Sequence, residues 1–174
     1  DFPQPNILRL LLGTQAVAAS STEHRPHVES ILVLETNLDD CPGDAIGHAM
    51  ERLFAAGALD VAVTPIQMKK GRPGLLLSVQ AQPADADTLE AILFQETTTL
   101  GVRRQQVLRT VLQREPHEVA TSWGPIAGKI AYLPNGSVRF TPEYEACHRV
   151  STEHGLPLAD VLAAARQTFR AANT

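Results

Sequence analysis

Cysteine is scarce in this chain: Cys41 and Cys147 are the only two among 174 residues. They lie far apart and form no C-x-x-C pair, which excludes a disulfide scaffold of the small secreted kind and a cysteine zinc site. A reducing, cytoplasmic setting is expected. Aromatic residues make up 5% of the chain, with Trp123 the single tryptophan, so no aromatic pair stands on neighbouring strands to stack bases. No run approaches the roughly 18 to 20 apolar residues of a membrane span, and no pattern marks a signal peptide. Positive charge is not in excess either. Lysine and arginine total 15 against 19 acids, a net charge of −4, so a polyanion would have to be met by a local cluster. Nucleic acid and membrane are therefore not expected partners. Neither a P-loop G-x-x-x-x-G-K-[ST] nor a G-x-G-x-x-G is present, which removes the ordinary nucleotide-binding folds.

Hydrophobic content of 44% and charged content of 20% suit a soluble globular domain, alone or with a small annex. The chain opens at Asp1 without methionine, and residues 1–13 read as the tail of a preceding domain. Residues 14–30, TQAVAASSTEHRPHVES, are polar and aperiodic, as a linker would be. His24 and His27 have HxxH spacing there, but in a solvated segment they read as loop residues rather than metal ligands.

From Ile31 the pattern becomes regular. Ile31 to Asn37 suits a buried strand, and Ile46, Met50, Leu53 and Phe54 then recur at helical spacing. Asp39 or Asp40 could cap this helix, Pro42 suits its first turn and Gly57 closes it. Leu59–Thr64 and Leu75–Ala81 read as strands about a Gly71–Gly74 turn, and Leu89, Ile92 and Leu93 line the inner face of a second helix. A long strand from Val102 to about Arg114 follows. The order βαββαβ over 31–114 predicts an α+β, ferredoxin-like sandwich, two helices on one face of an antiparallel sheet. Residues 115–174 add a β-hairpin subdomain, with strands near 118–123, 126–132 and 137–140, an Asn135-Gly136 turn and two C-terminal helices.

Connectivity brings three loops to one end of such a sandwich: Asn37–Gly43, Gln67–Pro73 and Thr97–Gly101. Their residues suit a metal-bound triphosphate. Lys69, Lys70 and Arg72 supply charge, and Gly71 and Gly74 allow close backbone approach to an anion. Thr97, Thr98 and Thr99 add hydroxyls. Arg103 or Arg104 adds a planar fork, and strand alternation allows only one of the two to face the site. Glu35, Asn37, Asp39, Asp40 and Glu96 are hard oxygen ligands of the type that hold Mg²⁺ or Mn²⁺ against phosphate. Each element also has a plain reading: a solvated hairpin, a helix cap, a helix end. Elsewhere, Cys147 reads as a buried thiol, Cys41 as a half-buried neighbour of a helix start, His48 as a helix residue in partial contact with solvent, and Trp123 as an anchor of the hairpin subdomain.

The stretches LETNLDDCPGDAIGHAMERLFAAGALDVAVTPIQMKKGRPG, EAILFQETTTLGVRRQ and PEYEACHRVSTEHGLPLADV together resemble the carboxy-terminal domain of the LarC-type nickel insertion proteins, the pyridinium-3,5-bisthiocarboxylic acid mononucleotide nickel chelatases. The resemblance runs from Ile31 to the last helix. It implies a nickel chelatase that consumes CTP with Mn²⁺ or Mg²⁺, releases CMP and diphosphate, and completes the nickel-pincer cofactor of lactate racemase. It further implies that this domain binds the metal nucleotide, while Ni²⁺, the substrate metal, is handled with an amino-terminal domain of the same protein. A homo-oligomer is expected. On this reading Lys69, Lys70, Arg72 and Arg103 neutralise the triphosphate, the threonines position it and Asp39, Asp40 or Glu96 hold the divalent ion. A thiocarboxylate of the pyridinium mononucleotide would attack the α-phosphorus. The competing reading is a non-catalytic ferredoxin-like module for small-molecule sensing or oligomerisation.

Overall fold

The computed structural model describes residues 25–172. Their order is β1 (His27–Leu38), α1 (Gly43–Ala55), β2 (Asp60–Met68), β3 (Arg72–Ala81), α2 (Ala86–Glu96), β4 (Arg103–Val111), β5 (Arg114–Thr121), β6 (Gly124–Tyr132), β7 (Val138–Pro142), α3 (Tyr144–His154) and α4 (Leu158–Ala172). The first four strands form an antiparallel sheet in the order β2-β3-β1-β4, the ferredoxin-like arrangement expected from βαββαβ. On β1, Leu34, Thr36 and Leu38 are buried while Asn37 is exposed, the period of two that a strand imposes. Leu34 and Leu38 meet Ile46 and Leu53 of α1 and Leu89, Ile92 and Leu93 of α2 in the first core. Each such side chain, fully buried, contributes roughly 1.5–3 kcal/mol.

Three details differ from the sequence reading. In α1 the inward residues are Ile46, Ala49 and Leu53, and Phe54 is half exposed, because Ala49, not Phe54, completes the stripe one turn from Leu53. The predicted linker ends earlier than Ser30: β1 begins at His27, pairing His27 to Val111 and Glu29 to Arg109. The long β4 recruits these polar residues, and Arg109 donates to Glu29 at 2.7 Å and to Gln80 at 3.2 Å. His24 lies outside the described residues, so the HxxH pair does not come under description. The fourth strand, predicted to run to Arg114, stops at Val111 where its partner β1 begins, and Arg114 instead opens β5 opposite Ala131.

The remainder is more than a hairpin. β5, β6 and β7 make a second antiparallel sheet. A tight turn through Ser122-Trp123 into Gly124, at φ 102°, joins the first two strands. The predicted Asn135-Gly136 turn joins the last two, with the Leu133 amide donating to the Ser137 carbonyl at 2.9 Å. α3 and α4 pack on this sheet around a separate core that includes Val119, Ile126, Phe140, Cys147, Val161 and Phe169, with Trp123 at its margin. α3 ends at Gly155, whose φ of 63° closes the helix in the left-handed region. No described helix is long and apolar enough to cross a membrane.

Candidate functional site

The β2–β3 hairpin turns on three residues, Lys69–Gly71, of which Lys70 lies at φ 61°, ψ 23° and Gly71 at φ 69°. A lysine held in the left-handed region is uncommon, costs energy, and is a pointer toward function when the fold enforces it. The hairpin presses closely on the end of β1. A Cβ at Gly74 would stand 2.6 Å from Met68 Sδ and 2.8 Å from the Leu38 carbonyl oxygen, so only glycine permits the approach.

That approach lets Arg72 donate to Asp39 Oδ2 at 3.1 Å. Thr98, on the third loop, donates to Asp40 Oδ1 at 2.5 Å. The three loops predicted to share one end are therefore joined by side chains of Asp39 and Asp40. Neither aspartate caps α1: Pro42 occupies the cap position with no side-chain capping bond, and its carbonyl accepts from Ile46. The acids stand too early in the chain to reach the first helical amides. Lys69 and Lys70 are exposed and form no ion pair among the described residues. Cys41 is half-buried against the first core and, with Asp39, Pro65 and Pro73, lines a shallow cavity of about 320 Å³ beside the hairpin.

The other predicted site residues divide. Arg103 donates to Asn37 Oδ1 at 2.8 Å and lies 3.5 Å from Glu35, all on the sheet face that the helices leave open. Arg104 points the other way. It binds Glu90 and Asp87 of α2, and these two acids, Glu90 foremost, raise its pKa above the ordinary arginine value. Strand parity thus puts Arg103 on the open face beside Asn37 and Arg104 on the helix face. Glu96 is also withdrawn, paired with Arg52 and lying 3.5 Å from His48 across the helix layer; packing between α1 and α2 brings both within its reach. Thr97 ends α2 as the plain reading had it, donating to the Leu93 carbonyl at 2.6 Å.

Thr36, which the sequence reading passed over, is buried and hydrogen-bonded to Thr99, while Thr99 also donates to the Gly101 carbonyl at 2.9 Å. This pair pins the third loop to β1. A lone polar residue on the inward side of Leu34-x-Thr36-x-Leu38 was the available signal. Leu100, at the tip of the same loop, is fully exposed.

Among the described residues no cluster of three or more His, Cys, Asp or Glu side chains could hold a metal ion by itself. The four carboxylates expected to ligate do not converge, because Glu35 answers to Arg103 and Glu96 to Arg52. Asp39 and Asp40 remain, adjacent and at the loop end. Two carboxylates beside free lysines fit an ion that arrives with phosphate oxygens and keeps water, as Mg²⁺ does. They do not form a standing metal cage.

Comparison with known proteins bears on the whole chain. The family model described as nickel insertion protein matches residues 1–162. A relative from Cyanothece sp. is 44% identical over 97% of this chain and 42% of its own length. The pyridinium-3,5-bisthiocarboxylic acid mononucleotide nickel insertion protein of Geobacillus kaustophilus is 41% identical over 98% of this chain and 42% of its own. The chain thus spans about two fifths of the length of these curated relatives. Among solved structures, the apo form of LarC2, the C-terminal domain of a cyclometallase involved in synthesis of the NPN cofactor of lactate racemase, superposes with a TM-score of 0.77 at 39% identity, covering 83% of this chain and 99% of that one.

Proposed function

The chain belongs to the nickel insertion protein family, and from that premise we propose that it is the part of a CTP-dependent nickel chelatase that binds CTP with Mn²⁺ or Mg²⁺. The observation that carries the reading is the junction of three loops through Arg72–Asp39 and Thr98–Asp40, beside two lysines without acidic partners. Lys69, Lys70 and Arg72 meet the triphosphate, aided by the amide of Gly71, and Arg103 adds a fork from the open sheet face. The Arg72–Asp39 pair is more than half exposed on the arginine side, and exposed pairs of this kind contribute about 0–1 kcal/mol. It therefore separates readily, sending Arg72 to phosphate and Asp39 to the divalent ion. The ion supplies charge neutralisation at the phosphates. Thr98 holds Asp40 in place, and Thr36 and Thr99 hold the loop that carries Thr98.

Charge gathered at this end stabilises attack at the α-phosphorus with diphosphate as leaving group. The attacking group is a thiocarboxylate of a pyridinium-bisthiocarboxylate mononucleotide; it takes up the cytidylyl group as diphosphate leaves, and water later cleaves the thiocarboxylate–phosphorus bond, releasing CMP. Nickel is substrate, handled with the portion of the relatives' length that this chain does not span. The same reading includes a cytoplasmic homo-oligomer and the nickel-pincer cofactor of lactate racemase as the end product.

Calorimetry of the 174-residue chain tests the binding step. CTP is expected to bind only with Mn²⁺ or Mg²⁺ present, and Lys70→Ala with Arg72→Ala is expected to weaken binding by a hundredfold or more. CTP binding that ignores both the metal and the double change would sink the proposal. It would leave a ferredoxin-like module for sensing or oligomerisation.

A further inference from the structure

The second sheet unit gathers cations that the nucleotide reading does not use. Residues 114–174 contain six cations, Arg114, Lys129, Arg139, Arg149, Arg166 and Arg170. All but Arg149 line two cavities that meet at Arg139. One, of about 460 Å³, is bounded by β7 and α4: Arg139, Phe140 and Thr141 on the strand, Arg166, Phe169 and Arg170 on the helix. The other, of about 350 Å³, lies toward β5 and β6 and includes Arg114, Lys129 and Arg139. No acidic residue lines either one. The same span holds six acids, so the segregation is one of placement and not of composition.

Arg139 and Arg166 form no ion pair among the described residues. Both are exposed and line the larger cavity, Arg139 from β7 and Arg166 from α4. Guanidinium forks placed this way suit a phosphate or carboxylate, which each fork can grip through two parallel hydrogen bonds. The floor adds shape. Phe140 and Phe169 stack at 5.2 Å between centroids and 24° between planes, and His117 meets both edge-on at 5.8 and 5.5 Å. Phe140 and Phe169, each nearly buried, present their margins to the cavity. A cavity of a few hundred cubic ångströms with an apolar floor and a few convergent polar groups has the build of a small-molecule site.

We propose that the cavity between β7 and α4 binds a small aromatic phosphate monoester, its phosphate held by Arg139 and Arg166 and its ring laid along the Phe140–Phe169 floor. The site shares no residue with the metal-nucleotide site at the loop end of the first sheet, and each stands or falls without the other.

Phenyl phosphate, inorganic phosphate and benzoate, titrated separately into the full chain by calorimetry, test this. Phenyl phosphate is expected to bind most tightly, inorganic phosphate more weakly for want of the ring, and benzoate most weakly for want of the second charge. Arg139→Glu with Arg166→Glu is expected to weaken phenyl phosphate by at least tenfold, and Arg139→Lys with Arg166→Lys to give an intermediate loss, since charge is kept and the fork is not. Mn²⁺–CTP binding should be unchanged in both variants. Absence of saturable phenyl phosphate binding, binding indifferent to both pairs of changes, or full displacement by Mn²⁺–CTP would overturn the assignment.

Discussion

Arginines are treated differently in the two sheet units. In the first, Arg72 answers to Asp39, Arg103 to Glu35, Arg104 to Glu90 and Asp87, and Arg109 to Glu29. In the second, Arg139 and Arg166 face a cavity with no acid on its walls. A paired arginine must be drawn from its partner before it can serve a ligand, whereas an unpaired one is already available. Within the first unit the same distinction separates Lys69 and Lys70, which lack acidic partners, from Arg104, which is fully engaged with a helix. Pairing therefore separates cations available to a ligand at once, Lys69, Lys70, Arg139 and Arg166, from those, Arg72 and Arg103 among them, that must first leave an acid.

The largest expected effect tests whether the two units are separate at all. Leu93 is fully buried in the first core, and Leu93→Ala should destabilise that unit by roughly 2–5 kcal/mol through lost transfer energy and the cavity left behind. Trp123, the only tryptophan, lies at the margin of the second core, so its fluorescence reports the second unit alone. Under denaturant, the far-ultraviolet dichroism of the variant is expected to show an early transition while the Trp123 transition stays in place. A Trp123 midpoint that falls by the same amount would mean one cooperative unit, and the contrast between the two would lose its energetic basis.

A smaller effect separates strain from ligand binding at the hairpin tip. Lys70 at φ 61° sits where an L-residue with a side chain is disfavoured by roughly 1–2 kcal/mol, a penalty that glycine avoids. Lys70→Gly should therefore raise stability slightly, by about 1 kcal/mol at most, while weakening metal-CTP binding severalfold. Thermal midpoint and calorimetry on the same sample read the two directions. A variant that gains stability and loses no affinity would move Lys70 from the cations kept for a ligand to ordinary turn residues.

Much of this was legible in the chain itself, and the parts that were not share a cause. βαββαβ connectivity alone brought MKKGRPG, Asp39-Asp40 and ETTTLG to one end, because topology fixes which loops are neighbours. It could not say which of Arg103 and Arg104 faces that end: alternation gives the period of a strand and leaves its phase to packing. Glu96 was assigned to the site because it precedes three threonines. The contact between α1 and α2 gave it to Arg52 and His48, and no local pattern announces a helix–helix contact. The cation-lined cavities of the second unit were missed for the same reason. Arg139 lies on a strand and Arg166 on a helix, 27 residues apart in sequence, and only the packing of α4 on the second sheet brings them to one cavity.

The smallest predicted effect uses a thiol to look at those arginines. Cys147 is fully buried in the second core, and burial raises its pKa from the ordinary 9.0, with Arg166 pulling in the opposite direction. Well below pH 9 the thiol is neutral in folded and unfolded chains alike, and it contributes no pH dependence there. As pH rises past that value the unfolded chain ionises first, so stability of the second unit should decline until the folded thiol ionises as well. Followed through Trp123 between about pH 8 and 10.5, the decline should be shallower in Cys147→Ala than in the parent chain. Arg166→Ala should steepen it, since the charge that favours the thiolate is gone. If a phosphate monoester engages Arg166, its own negative charge should have the same sign of effect as removing the arginine. A slope unchanged by saturating phenyl phosphate, in a chain where Arg166→Ala does change it, would place the ligand away from Arg166.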